Sequence, residues 1–269
     1  MYKIVTPVWR RESVISLNPF VHPFYKTMFR KLYGLEEAQA EVYIGDAGEV
    51  TYSCDFVAPL VREVWEGHKN DVTRFYDIRT SEEAEQTAPE YAILKKAGIM
   101  DISPVNIRGM GNMAWLMGLQ IVGLDISEGN CAIMLLAELG HSLYAEKENI
   151  ACAFALYPCE KINDSKGIWI TDYRIHLTAD EVQMAITNFK GRIIIAQEKP
   201  DDIPENGDCI TCRGHGLTEP LLYLCKFMEN AESMNVMVIH RSGDSYGLVY
   251  YRVLGREGER DKDTRRYDI

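Results

Sequence analysis

The chain has 269 residues, of which 46% are hydrophobic, and its formal net charge is −11. This is enough apolar sequence to bury a sizeable core in one large or two moderate domains, which excludes a disordered chain. The negative charge, with basic residues clustered only in the last fifteen positions, also argues against nucleic acid as a partner.

The sequence carries no targeting or membrane signal that we recognise. No apolar stretch reaches about 18 residues, and Met1 leads directly into a strand-like run, Tyr2–Val5, rather than a signal peptide. The seven cysteines are scattered and odd in number, as is typical of reduced thiols, so we expect a cytoplasmic protein. The single Cys209-Ile-Thr-Cys212 pair lacks the further ligands that zinc requires, and we expect neither a metal nor a cofactor.

Helical and strand patterns alternate along the first half of the sequence. The predicted elements are a strand at 2–9, a helix at 56–67, a strand at 71–79, a helix at 81–98, a short helix at 109–118 and a strand at 119–126. Ser81 is a suitable helix N-cap, and Gly67 and Gly98 are suitable helix ends.

A cysteine follows the last of these strands, after the turn Gly123–Asn130. The apolar run from Ala132 to Tyr144 predicts a long helix that starts directly after Cys131. A thiol at a helix N-terminus feels the positive end of the helix dipole, which favours the thiolate. Cys131 is therefore a candidate nucleophile. The alternative is an ordinary buried cysteine.

The second half repeats the alternation. Its predicted elements are a strand at 151–156, a helix at 178–189, a strand at 209–213, a helix at 218–228, and a hairpin formed by 235–241 and 247–254. Thr178 caps the first helix, and Glu219-Pro220 opens the second. This order predicts an α/β fold with mixed, largely buried sheets, and residues 255–269 form a charged, flexible tail.

Four stretches together resemble the β-ketoacyl-acyl-carrier-protein synthase III family of the thiolase superfamily: 56–79, 104–126, 127–156 and 207–254. Their order and spacing carry the resemblance. It implies a thiolase-like, five-layered αβαβα fold in one domain, 1–254, with similar halves at about 1–177 and 178–254. It also implies a dimer that takes acyl groups from acyl-CoA or acyl carrier protein and condenses them with a malonyl thioester through Cys, His and Asn side chains.

The nucleophile turn departs from the family pattern by one residue. In the family the cysteine follows the Asp of the preceding strand by five residues. Counting from Asp125 gives Asn130, whereas Cys131 is one residue later. Since one residue rotates a helical side chain by about 100°, either the turn is longer here or Asn130 occupies the nucleophile position.

The other two catalytic positions also differ. The Gly-Asn turn of the family corresponds to Gly214-His215, and the family's histidine motif has no counterpart in 176–206. His215 is the candidate base for Cys131. The alternative is a turn histidine that caps the helix at 218–228.

Two functions follow from these departures. The chain is either a non-catalytic partner subunit of a heterodimeric condensing enzyme in fatty-acid, polyketide or other secondary-metabolite biosynthesis, or an acyltransferase that forms an acyl thioester on Cys131. Its partner would be a homologous catalytic ketosynthase chain in the first case and a second copy of itself in the other.

Overall fold

The computed structural model describes residues 1–13, 53–79, 89–126, 129–138, 148–160, 162, 165–196, 209–212, 216–230 and 233–255. The strands within these ranges are β1 Tyr2–Ser13, β2 Val72–Arg79, β3 Ser103–Ile107, β4 Cys131–Glu138, β5 Glu148–Pro158, β6 Gly167–Leu177, β7 Arg192–Ile195, β8 Cys209–Thr211, β9 Met234–Ser242 and β10 Ser245–Leu254. The α-helices are α1 Ser53–His68, α2 Pro89–Ala97, α3 Ala114–Asp125, α4 Ala179–Asn188 and α5 Glu219–Glu229.

The strand order contains an internal repeat. The sheet runs β3-β2-β4-β5-β1-β6-β10-β9-β7-β8, so β6 to β10 take the same relative places as β1 to β5. In each half the second, third and fourth strands are parallel, and the fifth is antiparallel to the fourth. The halves meet where residues 2–4 of β1 pair with 168–170 of β6. The repeat therefore begins at β6, one strand earlier than the predicted division near 177.

Three apolar clusters define the layers. Helices α1 and α2 pack against the outer face of the first five strands, and α4 packs against the outer face of the other five. Helices α3 and α5 lie between the two halves in the largest cluster. In β4, Ile133 and Leu135 face the outer cluster, whereas Met134 and Leu136 face the central one. This αβαβα arrangement confirms the predicted fold class.

Two predicted elements around the candidate nucleophile are wrong. Residues 119–126, predicted to be a strand, lie mostly in helix α3, and residues 131–138, predicted to start a helix, form strand β4. Helix α3 lies in the central layer and is apolar on most of its surface, so it lacks the periodicity of a surface helix. Every residue of β4 is buried, and such a continuous apolar run does not distinguish a strand from a helix.

Other predicted features have different outcomes. Strands β3, β6 and β7 are not among the predicted elements. Among the described residues α2 spans Pro89–Ala97, and the predicted helix start at Ser81 lies outside them. Thr178 caps α4 through a capping box with Glu181, as its sequence indicates. The predicted tail lies outside the described residues from position 256 onward. None of the described helices is both long enough and apolar enough to cross a membrane.

Candidate functional site

The two central helices begin close together, at the carboxyl ends of the parallel strands. A short 3₁₀ turn, Gly111–Met113, leads into α3, and Asn112 of this turn donates a hydrogen bond from Nδ2 to the carbonyl of Ala196, just after β7, at 3.3 Å. The carboxylate of Glu138, the last residue of β4, contacts the start of α5. Helix N-termini carry partial positive charge, so this point of the molecule favours an anion or a developing oxyanion.

Glu138 is buried at this point and binds the first residues of α5. It accepts hydrogen bonds from the backbone N–H of Leu217 at 3.1 Å and of Thr218 at 2.9 Å, and from the Thr218 hydroxyl at 2.5 Å. Burial raises the pKa of the Glu138 carboxyl to about 7, although these hydrogen bonds oppose the shift. The carboxylate thus takes the place that an anionic ligand would occupy at a helix N-terminus.

His240 lies in β9, the strand that corresponds to β4 in the second half. Its side chain is fully buried, and neither ring nitrogen reaches hydrogen-bond geometry with a partner among the described residues. Burial lowers the pKa of His240 to about 3, and the nearby backbone of Asn112 opposes part of this shift. His240 is therefore a neutral imidazole at pH 7.

Aromatic side chains fill the space beside His240. The indole N–H of Trp115 donates to the hydroxyl of Tyr251 at 2.9 Å, and the Trp115 ring packs edge-on against Phe154. The cavity left between them has a volume of about 10 Å³, which is the space of a single water molecule. An acyl chain has no room at this place.

The turns before both central helices depend on glycine. Gly111 has a φ of +53°, and a side chain added there would meet open space. At Gly216, before α5, a Cβ atom would overlap the carbonyl oxygen of Ala196 and the side chain of Asn112. The close approach of the two turns therefore requires glycine at position 216.

Cys131 lies elsewhere. It is the first residue of β4, is fully buried, and its side chain belongs to the outer cluster under α1 rather than to the central layer. Burial raises the pKa of the thiol to about 11, although a hydrogen bond with Tyr157 opposes this. The predicted position at a helix N-terminus is wrong, and no helix dipole favours the thiolate here.

The two other predicted site positions, Asn130 and His215, have different outcomes. Asn130 directly precedes β4 and is half-buried, so it too is not at a helix start. His215 and the turn residue before it lie outside the described residues, so the pairing of Cys131 with His215 stays a prediction.

Sequence reasoning missed the residues that do meet at the helix starts. Asn112, Glu138 and His240 are the buried polar side chains there, together with Thr218. One signal was present: Pro104-Val-Asn-Ile followed by Gly109-Met-Gly-Asn is a strand, a turn and a helix start. Glu138 and His240 gave no such signal. Each lies at the end of an apolar run, and the direction in which its side chain points depends on whether that run is a helix or a strand.

Comparisons with known proteins give the fold. No protein-family model and no curated protein matches the sequence. Among solved structures, a variant of OleA from Xanthomonas campestris is similar with a TM-score of 0.58 at 10% identity, over 93% of this chain and 98% of that one. ChlB3, described as an acyltransferase, is similar with a TM-score of 0.61 at 11% identity, over 94% and 98%. AbyA1, a tetronic acid condensing enzyme, gives 0.58 at 7% identity, over 94% and 100%.

These similarities extend over nearly the whole of both chains. The chain therefore has the fold of thiolase-type condensing enzymes of the synthase III kind, as its sequence resemblance predicted.

The buried His240 makes the fold sensitive to acid. Its pKa is about 3 when folded, well below the usual value of about 6.5 for histidine, so the stability it contributes is present above pH 6.5 and is lost as pH falls from 6.5 towards 3. Between pH 7 and pH 5 the wild type should lose about 2 kcal/mol of unfolding free energy that a His240→Phe variant keeps. Urea unfolding at both pH values measures this difference.

The matched control is His176→Asn, at an exposed histidine whose φ of +56° asparagine tolerates. This variant should keep the pH dependence of the wild type. An equal loss of stability in wild type and His240→Phe would show that His240 is not held neutral by burial.

Proposed function

We propose that this chain is a non-catalytic subunit of a ketosynthase-III-like condensing enzyme, and that it pairs with a homologous catalytic chain. The observation that carries the proposal is the turn between β3 and α3. In the family the nucleophile stands at the start of a helix that follows a strand, and here this turn reads Arg108-Gly-Met-Gly-Asn-Met113. It contains no cysteine.

The spacing of the family supports the same assignment. Asn106 in β3 stands where the family has the Asp of the strand before the nucleophile. Five residues after Asn106 is Gly111, which has a positive φ and begins the 3₁₀ turn that leads into α3. A residue without a side chain thus stands where the nucleophile is expected, and it has no thiol to accept an acyl group.

The surroundings of this turn also favour a structural role. Glu138 already binds the N–H groups at the start of α5, and the space next to His240 holds no more than a water molecule. Condensation needs donors around a developing enolate oxygen and room for two acyl groups. The described side chains instead join the two halves of the fold.

The alternative function, acyl transfer through Cys131, has less support. The thiol faces the outer cluster, is closed to solvent, and has a raised pKa. An acyl nucleophile needs access to its substrate and a high thiolate fraction, and both are lacking here.

Strand β3 is the edge that we propose for pairing with the partner chain. It is the terminal strand of the sheet, paired with β2 on one side and with no strand on the other among the described residues. Ser103 and Asn106 are exposed on it, and Pro104 is tolerated in such an edge strand. An unpaired edge is a template for a strand of another chain.

Restoring a thiol in the turn that leads into α3 tests the proposed position of the lost nucleophile. A cysteine introduced by Gly111→Cys should have a pKa at least one unit below that of a cysteine introduced by Gly243→Cys, because only the former begins a 3₁₀ turn that continues into a helix. Gly243 is a matched control, since its φ is +58° and a side chain there also meets open space. The pH dependence of iodoacetamide alkylation gives both values, and equal values would contradict the assignment.

Charges on the β3 edge test the pairing. The chain is co-expressed with condensing-enzyme-fold proteins from the same genome, and the mass of the complex is measured by light scattering. Ser103→Lys with Asn106→Lys should abolish association, because two ammonium groups would block strand pairing. Thr211→Lys, on the opposite edge strand β8, is the control and should leave it intact. A complex that survives the β3 charges would exclude this edge as the interface.

A further inference from the structure

A second polar cluster lies at the other end of β4 from Glu138. It joins Thr6 of β1, His68 at the end of α1, Asp71 before β2, Cys131 at the start of β4 and Tyr157 of β5. Cys131 and Glu138 are the two ends of β4, seven residue-to-residue steps apart, which is about 23 Å at the rise of a β-strand. The cluster is therefore separate from the start of the central helices.

Hydrogen bonds connect these side chains in a continuous chain. The Tyr157 hydroxyl lies 2.9 Å from Asp71 Oδ2 and 2.9 Å from His68 Nδ1, and His68 Nε2 lies 3.1 Å from the Thr6 hydroxyl. The thiol of Cys131 lies next to Tyr157, and this contact partly opposes the rise in the thiol pKa. The chain runs from a half-buried carboxylate to an exposed hydroxyl.

The direction of these bonds follows from Asp71. A carboxylate only accepts, so the Tyr157 hydroxyl donates its single proton to Asp71. The Tyr157 oxygen then accepts from His68, which must carry its proton on Nδ1. His68 Nε2 is left with its lone pair, and the hydroxyl of Thr6 donates to it. This tautomer is the one that a general base requires towards Thr6.

The backbone at Thr6 is strained. Its φ is +51°, a conformation that β-branched residues rarely adopt, and the pairing of β1 with β5 shifts register between Val5 and Val8 around it. Strain of this kind costs free energy and concentrates at functional sites. Here it presents the Thr6 hydroxyl to His68 on an exposed part of the strand.

The charge state of His68 suits a base. Burial lowers its pKa, and the charge of Asp71 opposes this only in part, so the ring is mostly neutral at pH 7. Asp71 also places a negative charge at the inner end of the chain, which disfavours an anionic phosphoryl donor and favours an uncharged acyl group.

We propose that Thr6 is an acyl-accepting nucleophile and that His68 is its general base, positioned by Tyr157 and Asp71. The substrate class is an activated carboxylic ester or thioester. The Thr6 oxygen forms a bond to the acyl carbon as its proton passes to His68 Nε2. The bond from the acyl carbon to the leaving oxygen or sulfur breaks, and His68 returns the proton to the leaving group, which departs as the alcohol or thiol. The product is an ester on Thr6.

Incubation with p-nitrophenyl acetate tests this step in the full chain. We expect p-nitrophenolate release with an acetyl group on the peptide that contains Thr6, identified by mass spectrometry. Thr6→Ser should keep the reaction, and Thr6→Gly should abolish it while raising the melting temperature, because glycine tolerates the positive φ. His68→Gln should slow acylation of Thr6 at least tenfold.

A positioning role predicts a distinct effect for Tyr157. Tyr157→Phe should lower the rate of acylation at saturation without changing the ester concentration that gives half of it, since only the alignment of His68 is lost. Thr73→Val, at another threonine near a strand start, is the control and should leave the rate unchanged. The proposal is overturned if the Thr6 peptide carries no acetyl group, or if acylation of Thr6 is as fast in His68→Gln as in the wild type.

Discussion

The bond between Glu138 and the start of α5 is the interaction on which the arrangement of the centre depends. The carboxylate ends a strand of the first half and accepts two backbone N–H bonds and one hydroxyl bond from the second half. It accepts hydrogen bonds from backbone N–H groups at the helix start, which have no carbonyl partner within the helix. The helix dipole also favours a negative charge at this end. The two halves are thereby held at a fixed distance where both central helices begin.

This interaction also occupies the helix start at α5. In a condensing enzyme the helix starts must leave space for an acyl group and donors for its oxygen. Here a protein carboxylate occupies the donors at α5, an amide of Asn112 bonds across to Ala196, and Trp115 with Tyr251 fills the adjoining space. These contacts among the described side chains support the proposed non-catalytic role.

The alternation of strands and helices was readable from the sequence, whereas the location of the site was not. Alternating patterns and the cap at Thr178 predicted an α/β fold, and the resemblance carried by the four family-like stretches implied its two halves. The sequence predicted a strand where α3 lies and a helix where β4 lies. Both elements are enclosed by apolar layers, so neither shows the alternation of apolar and polar residues that distinguishes a helix from a strand. Because residues 131–138 form a strand, Cys131 and Glu138 lie at its opposite ends. The turn to compare with the nucleophile turn of the family is therefore the one with the glycines before α3.

Alkylation of the native protein tests the central claim, that Cys131 is a buried cysteine and not a nucleophile. The chain is treated with iodoacetamide at pH 7.5, and each cysteine is followed by peptide mass spectrometry. Cys159 and Cys209 are partly exposed, whereas Cys131 and Cys152 are buried. We expect Cys159 and Cys209 to react first, and Cys131 to react together with Cys152, only when the protein is unfolded. Selective alkylation of Cys131 in the folded protein would contradict it and favour the acyltransferase.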